Sequence, residues 1–181
     1  MDQFTIRNLE LVSGPHEQST SLLKTLDTTV SPMGARMLKR WVLMPLVDLT
    51  KINERLDLTE QFIEHDVWRV ELLQHIKACG DIERLVSKLP SKKIGPREML
   101  QLARGLAQIG IIKQAASAIE DDYLKRLADN LNACQFIQDK IQTQIAEDAP
   151  AQTTKGGYIA KGVNEELDQY RDLATGGKNV S

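Results

Sequence analysis

The chain has 181 residues, of which 41% are hydrophobic and 27% are charged, and its formal net charge is −2. A chain of this size buries roughly 70% of its unfolded surface, so one ordinary domain, with or without a small appendage, needs no disulfide or metal to fold. The slightly acidic balance argues against an autonomous duplex-binding domain, whose surface is usually basic. Aromatic residues make up only 4% of the chain, which argues against a base-stacking platform for single strands.

The cysteines and the start of the chain exclude further classes of protein. Cys79 and Cys134 are far apart without a CxxC spacing, and the three histidines are scattered. This pattern predicts two core thiols in a reducing compartment, without a disulfide framework or a zinc site. No basic segment followed by an apolar run opens the chain, and no stretch approaches the ~18 apolar residues of a membrane span. We therefore expect a soluble, cytoplasmic protein.

The first part of the chain predicts a short strand followed by helices. The alternation in FTIRNLELV, residues 4–12, is typical of a strand, although no hairpin partner follows it. SLLKTLD, residues 21–27, is long enough for about two helical turns.

The segment TTVSPMGARMLKRWVLMPL, residues 28–46, predicts a helix that is bounded at both ends. Ser31 is a good N-cap, Pro32 fits the first helical position, and Pro45 ends the helix. Apolar residues at spacings of three and four share one face, which we expect in the core: Met33, Met37, Leu38 and Trp41.

Helical spacing continues through the middle of the chain. Asp48 or Thr50 can cap a helix that ends near His65, and the helix after it stops at Gly80. A third, shorter helix follows, and the segment PSKKIGP, residues 90–96, then breaks the pattern.

Residues 97–119 and 121–146 each carry one sustained apolar stripe, with a weak point in the second near Asn130–Asn132. Joined by only a few residues, they predict a long antiparallel helical hairpin. Asn164 can cap a final helix over residues 165–174. The predicted fold class is mainly α: a multi-helix core with this hairpin, one short N-terminal strand and a C-terminal helical arm. We place the domain boundary between residues 1–148 and 149–181.

No pattern of residues predicts catalysis. TGGKN, residues 175–179, is not a phosphate-binding loop, because Asp172 replaces its first glycine and Asn179 its final Ser or Thr. Acidic residues lie four positions from basic ones on helix faces, a spacing typical of surface ion pairs. The sequence therefore predicts no catalytic, cofactor-binding or metal-binding residue.

Basic residues form two clusters, which have two interpretations. The residues are Arg36, Lys39 and Arg40, and then Lys92, Lys93 and Arg97. In the functional interpretation, weak DNA or phosphate contacts are made by Arg36, Lys39, Arg40, Lys92 and Lys93. In the structural interpretation, the first cluster is the solvated edge of its helix, with Arg36 paired to a carboxylate such as Asp27 or Glu54.

Five segments, in this order, resemble the core region of the MutS mismatch-repair ATPases. They are RNLELV, SLLKTLDTTVSPMGARMLKRWVLMPLVDLTKINERLD, DIERLVSKL, PREMLQLARGLAQI and GGYIAKGVNEELDQYRDL. The resemblance covers essentially the whole chain, and LDTTVSPMGARMLKRW is its most specific part. Val163 departs from the family pattern, which usually has tyrosine there.

The resemblance implies a segment of a longer protein, between a mismatch-binding part and an ATPase. This segment would connect the DNA clamp to the ATPase through a lever helix and transmit conformational change without catalysis of its own. ATP and Mg would be bound by the parent protein, whose implied partners are mismatched duplex DNA, a second MutS subunit and a MutL-type protein. Phe62 and Glu64 match the residue pattern of the family's Phe-x-Glu wedge but are not expected to act as that wedge, because Phe62 lies on the inward face of a predicted helix.

Two alternatives remain open from the sequence. The basic clusters would suit an autonomous DNA-binding module. An apolar stripe near the C-terminus would instead suit a helical protein-interaction module: Val163, Leu167, Tyr170 and Ala174.

Overall fold

The computed structural model describes residues 2–12 and 20–176, and these residues are mainly α-helical, as predicted. Within them a single antiparallel bridge, between Ile145 and Ile159, is the only β pairing, and Thr153–Lys155 forms one 3-10 turn. The helices are α1 (Gln3–Asn8), α2 (Leu22–Leu26), α3 (Pro32–Leu43), α4 (Leu49–Glu64), α5 (Asp66–Ala78), α6 (Ile82–Ser87), α7 (Pro96–Ala116), α8 (Asp122–Asp129), α9 (Gln135–Gln144) and α10 (Glu165–Gly176).

The predicted strand over residues 4–12 is wrong, because this segment begins with α1. Asp2 caps the helix by accepting a hydrogen bond from the backbone N–H of Thr5 at 2.7 Å. Alternation favours a strand only where another strand is available to pair with its backbone groups. A helix satisfies those groups within the segment, and Leu11, just beyond it, is buried.

The helix starts predicted from capping residues are confirmed. Ser31 Oγ accepts from the N–H of Gly34 at 3.1 Å, and Asp48 accepts from the N–H groups of Thr50 and Lys51. Asn164 Oδ1 accepts from the N–H of Leu167 at 2.9 Å. These bonds join residues two or three positions apart, which is why the local sequence was sufficient to predict them.

The second arm of the predicted hairpin does not form one helix. The chain leaves α8 after Asp129 and enters α9 through Cys134, whose φ of 50° is left-handed. Asn130 contributes to the break, because its side-chain amide donates to the Arg126 carbonyl at 2.8 Å. The Nζ of Lys113 donates to the Leu131 carbonyl at 3.0 Å, which satisfies a backbone group just past the end of α8. The α8 helix packs against α4.

The backbone contacts divide the chain into two compact units, which are described separately. The first unit comprises residues 1–83 and 108–133, and the second comprises residues 84–107 and 134–181. The functional boundary after residue 148 stays a prediction. The core of the first unit contains Leu58, Ala116, Leu124 and Ala128, with Phe62 and Trp68 packed against it. The core of the second unit contains Leu100, Ala103, Ile141 and Ala149.

Two side chains predicted in the core are half-exposed. Trp41 keeps 41% of its surface accessible and Met37 keeps 51%, so this face of α3 is not buried in the described chain. The guanidinium of Arg55 lies 3.6 Å from the centre of the Trp41 ring and covers part of it.

The prediction of two core thiols is correct for one cysteine and wrong for the other, because Cys79 is buried whereas Cys134 is exposed. Burial raises the pKa of the Cys79 thiol.

Candidate functional site

The first basic cluster lies on α3, and one of its members, Arg36, is the centre of an ion-pair network. Arg36 Nη1 and Nη2 donate to the two carboxylate oxygens of Asp81 at 3.0 and 2.7 Å. Its Nε and Nη2 also donate to Glu83 Oε2 at 2.9 and 2.6 Å. The hydrogen bonds that Arg36 donates to Asp81 and Glu83 raise the pKa of Arg36 above its usual range. The guanidinium therefore ties α3 to the start of α6.

The predicted partners of Arg36 are wrong. Asp27 accepts hydrogen bonds from the N–H and hydroxyl of Thr29, which lower the pKa of Asp27. Glu54 instead pairs with Arg126, at 2.5 Å. Asp27 and Glu54 were proposed as carboxylates 9 and 18 positions from Arg36 along the chain, whereas the observed partners of Arg36 are 45 and 47 positions away.

Lys39 and Arg40 lie on the exposed side of α3. In the described part of the chain, the ion pairs of the first cluster are those of Arg36, and the charges of Lys39 and Arg40 face solvent. Their contact with phosphate stays a prediction.

The second basic cluster borders a groove in the second unit. Lys92 and Lys93 are exposed in the loop between α6 and α7, and Lys92 adopts a left-handed φ of 52°. The groove has a volume of about 660 Å³ and lies between this loop, the start of α7 and residues 151–154. Arg97, in the first turn of α7, lines it as well. The structure thus brings Lys92, Lys93 and Arg97 together as neighbours of one concave surface.

Part of this groove was missed by sequence reasoning. Gln152, Thr153 and Thr154 form its far side, about sixty residues beyond the lysines along the chain. Their segment was predicted only as a loop. No local pattern pairs it with residues 92–97, since the pairing depends on how the second unit packs.

A side-chain hydrogen bond and a close backbone contact hold the two sides of the groove together. Arg97 Nε donates to the carbonyl of Ala149 at 3.3 Å, and Ala149 is 2% exposed. A Cβ built on Gly95 would overlap the carbonyl oxygen of Ala151, so the two segments approach as closely as glycine allows.

Other predicted features have structural roles. The Phe62 ring stacks on Trp68 with centroids 5.0 Å apart, which confirms that Phe62 packs against the core of the first unit.

No group of three or more metal-ligating side chains occurs among the described residues. None of the helices in that part of the chain combines the length and apolarity that a membrane crossing requires.

Comparison with known proteins identifies close relatives of this chain. Residues 4–176 match the family model described as MutS domain III. The proteins named DNA mismatch repair protein MutS from Parabacteroides distasonis and Phocaeicola vulgatus are each 44% identical to it over 179 residues. The protein of the same name from Cytophaga hutchinsonii is 41% identical over 179 residues. Each alignment covers 99% of this chain but only 21% of the relative.

Proposed function

This chain belongs to the MutS family, as its domain III, and from that premise we propose that it forms the structural core of a DNA mismatch-repair protein. Its role is to connect parts that hold DNA to a part that hydrolyses ATP, and to transmit conformational change between them. The observation that carries this proposal is the family match over residues 4–176 together with a helical body cross-linked between distant segments. We assign the segment no catalytic step.

Transmission of strain requires elements that move as packed bodies, because coupling between distant sites is carried by contiguous contacts. The first unit has such contacts between helices far apart in sequence. Arg36 joins α3 to Asp81 and the start of α6, and Arg126 joins α8 to α4 through Glu54. The indole N–H of Trp68 joins α5 to α7 by donating to the Ala115 carbonyl at 2.9 Å.

The start of α10 is fixed in the second unit, as the base of a lever must be. Asp168 Oδ2 accepts from the N–H of Gly162 at 2.7 Å. Arg171 donates to the carbonyl of Ile159 at 3.1 Å and pairs with Asp168. Ile159 itself forms the antiparallel bridge with Ile145. These contacts support a lever that begins at α10.

The properties of the whole protein follow as proposals from the same membership. The chain spans 21% of the length of each of the MutS relatives compared above. We propose that ATP and Mg act in other parts of the parent protein. We propose mismatched duplex DNA, a second MutS subunit and a MutL-type protein as partners of the parent.

A chimera tests the proposed role directly. The 179 matched residues of the Parabacteroides distasonis protein would be replaced by those of this chain, and the chimera expressed in a strain that lacks its own MutS. We expect it to restore a low mutation frequency. The purified chimera should also change its ATPase rate when mismatched DNA is added.

Two variants of the chimera separate transmission from simple stability. Arg171→Met loosens the base of α10 and should reduce the effect of mismatched DNA on the ATPase while the basal rate persists. Lys125→Gln, an exposed change on α8, is the control and should behave as the unmodified chimera does. The transmission role is refuted if the Arg171 variant, folded and DNA-binding, responds to mismatches as fully as the control.

An exposed face of α10 favours the interaction-module alternative. Tyr170 and Leu173 are 62% and 72% exposed. If this face pairs copies of the chain, light scattering should give a multiple of the monomer mass for the full chain and the monomer mass for a chain ending at Gly162. An unchanged monomeric mass would exclude self-association through this helix.

A further inference from the structure

The groove beside Lys92 and Lys93 carries an excess of positive charge. Among the described residues that line the groove, one is acidic, Glu98. Its carboxylate is already engaged, because it pairs with Lys88 and accepts from the N–H of Gly95 at 3.1 Å. The hydrogen bond from Lys88 is the main cause of the lowered pKa of Glu98. Glu98 therefore leaves the charges of Lys92 and Lys93 available to a ligand.

The side opposite the lysines is polar without being acidic. Thr153 and Thr154 line it, with hydroxyl groups that can donate hydrogen bonds, and Gln152 adds an amide. The segment that carries these residues is anchored, since Ala149 is part of the core of the second unit. The close approach of Gly95 to Ala151 fixes the distance between the two sides.

We propose that this groove binds an oligophosphate group. Lysine ammonium groups and the Arg97 guanidinium bind phosphate oxygens as charge-assisted donors, and threonine hydroxyls complete such sites. A volume of about 660 Å³ lies within the usual range of ligand sites and exceeds the space that a single phosphate fills. Two or more linked phosphates fit both the size and the charge. This proposal does not depend on the lever role of α10.

The same chemistry has two sources, which are a free oligophosphate and the backbone of a nucleic acid. The 181-residue chain would be titrated by calorimetry with tripolyphosphate, and separately with a short single-stranded oligonucleotide, at about 50 and about 200 mM salt. The charge variant is Lys92→Gln with Lys93→Gln. The neutral variant is Thr153→Val with Thr154→Val.

The matched control changes two exposed lysines elsewhere, Lys125→Gln with Lys140→Gln, so that the net charge falls by the same amount. Circular dichroism establishes that each variant is folded. We expect the charge variant to bind tripolyphosphate about tenfold more weakly or worse, the neutral variant to bind it several-fold more weakly, and the control to bind it as the parent does. The slope of log binding constant against log salt concentration should fall in magnitude by about one for each lysine removed.

The oligonucleotide arm identifies the source. If the charge variant weakens oligonucleotide binding and tripolyphosphate competes for it, the groove takes a nucleic-acid backbone. If only tripolyphosphate binding is affected, the groove takes a free oligophosphate. The proposal is overturned if neither probe binds, if the control loses as much affinity as the charge variant, or if the neutral variant binds as the parent does.

Discussion

The two tryptophans of the chain should differ strongly in how much each stabilises the fold. Trp68 stacks on Phe62, donates to the Ala115 carbonyl at 2.9 Å and packs against the core of the first unit. Truncation of a buried tryptophan costs about 3–5 kcal/mol, and the ring pair and hydrogen bond are part of that loss. Because Trp68 is only partly buried, we expect Trp68→Ala to lower the free energy of unfolding by about 3–4 kcal/mol.

Trp41 has a different environment and a smaller expected effect. Its ring is 41% exposed, and its described ring contact is with the guanidinium of Arg55 at 3.6 Å. A cation–π contact at an exposed site contributes about 0.5–1 kcal/mol. With the partial burial of the ring added, Trp41→Ala should cost about 1–2 kcal/mol.

Urea unfolding followed by far-UV circular dichroism measures both effects without relying on the fluorophores that are removed. Trp41→Phe and Trp68→Phe then supply an independent check, since each leaves one tryptophan. Emission from the remaining Trp68 should lie at shorter wavelength than emission from the remaining Trp41. Equal losses for the two alanine variants, or a larger loss at Trp41, would contradict the packing described for α3 and α5.

Three further outcomes are expected. Arg36→Met should lower the urea midpoint only modestly, because its ion pairs are partly exposed, and the loss should shrink in high salt. A loss that does not depend on salt would point to packing instead. Glu98→Gln should destabilise the chain at pH 7 and progressively less as the pH falls, because a carboxylate with a lowered folded pKa stabilises the fold above its unfolded pKa and loses that contribution as the pH falls through the folded pKa. A difference in unfolding free energy that does not shrink in acid would exclude the pairing with Lys88. Gly80→Ala should cost about 1 kcal/mol by thermal unfolding, since Gly80 has a φ of +66°, and no loss would mean that the turn relaxes.

The family and the helix starts were predictable from the sequence because their signals are local. A cap such as Ser31 or Asn164 acts on backbone groups within three residues, so its identity and position suffice. The residue patterns that resembled MutS proteins are likewise contiguous, and the family match over residues 4–176 confirms them. The strand predicted at residues 4–12 failed because strand formation depends on a partner that the segment itself does not contain.

Only the tertiary structure decided which charges and surfaces meet. The sequence suggested Asp27 or Glu54 as a partner of Arg36, but packing placed Arg36 against Asp81 and Glu83. The same holds for the groove, where Lys92 and Lys93 were visible in the sequence but the polar wall at residues 152–154 was not. Capping is determined by the backbone within one helical turn, whereas contacts across 45 or 60 residues depend on how helices pack. The positions of the basic residues were therefore known from the sequence, whereas the side chains that surround them were determined only by the tertiary structure.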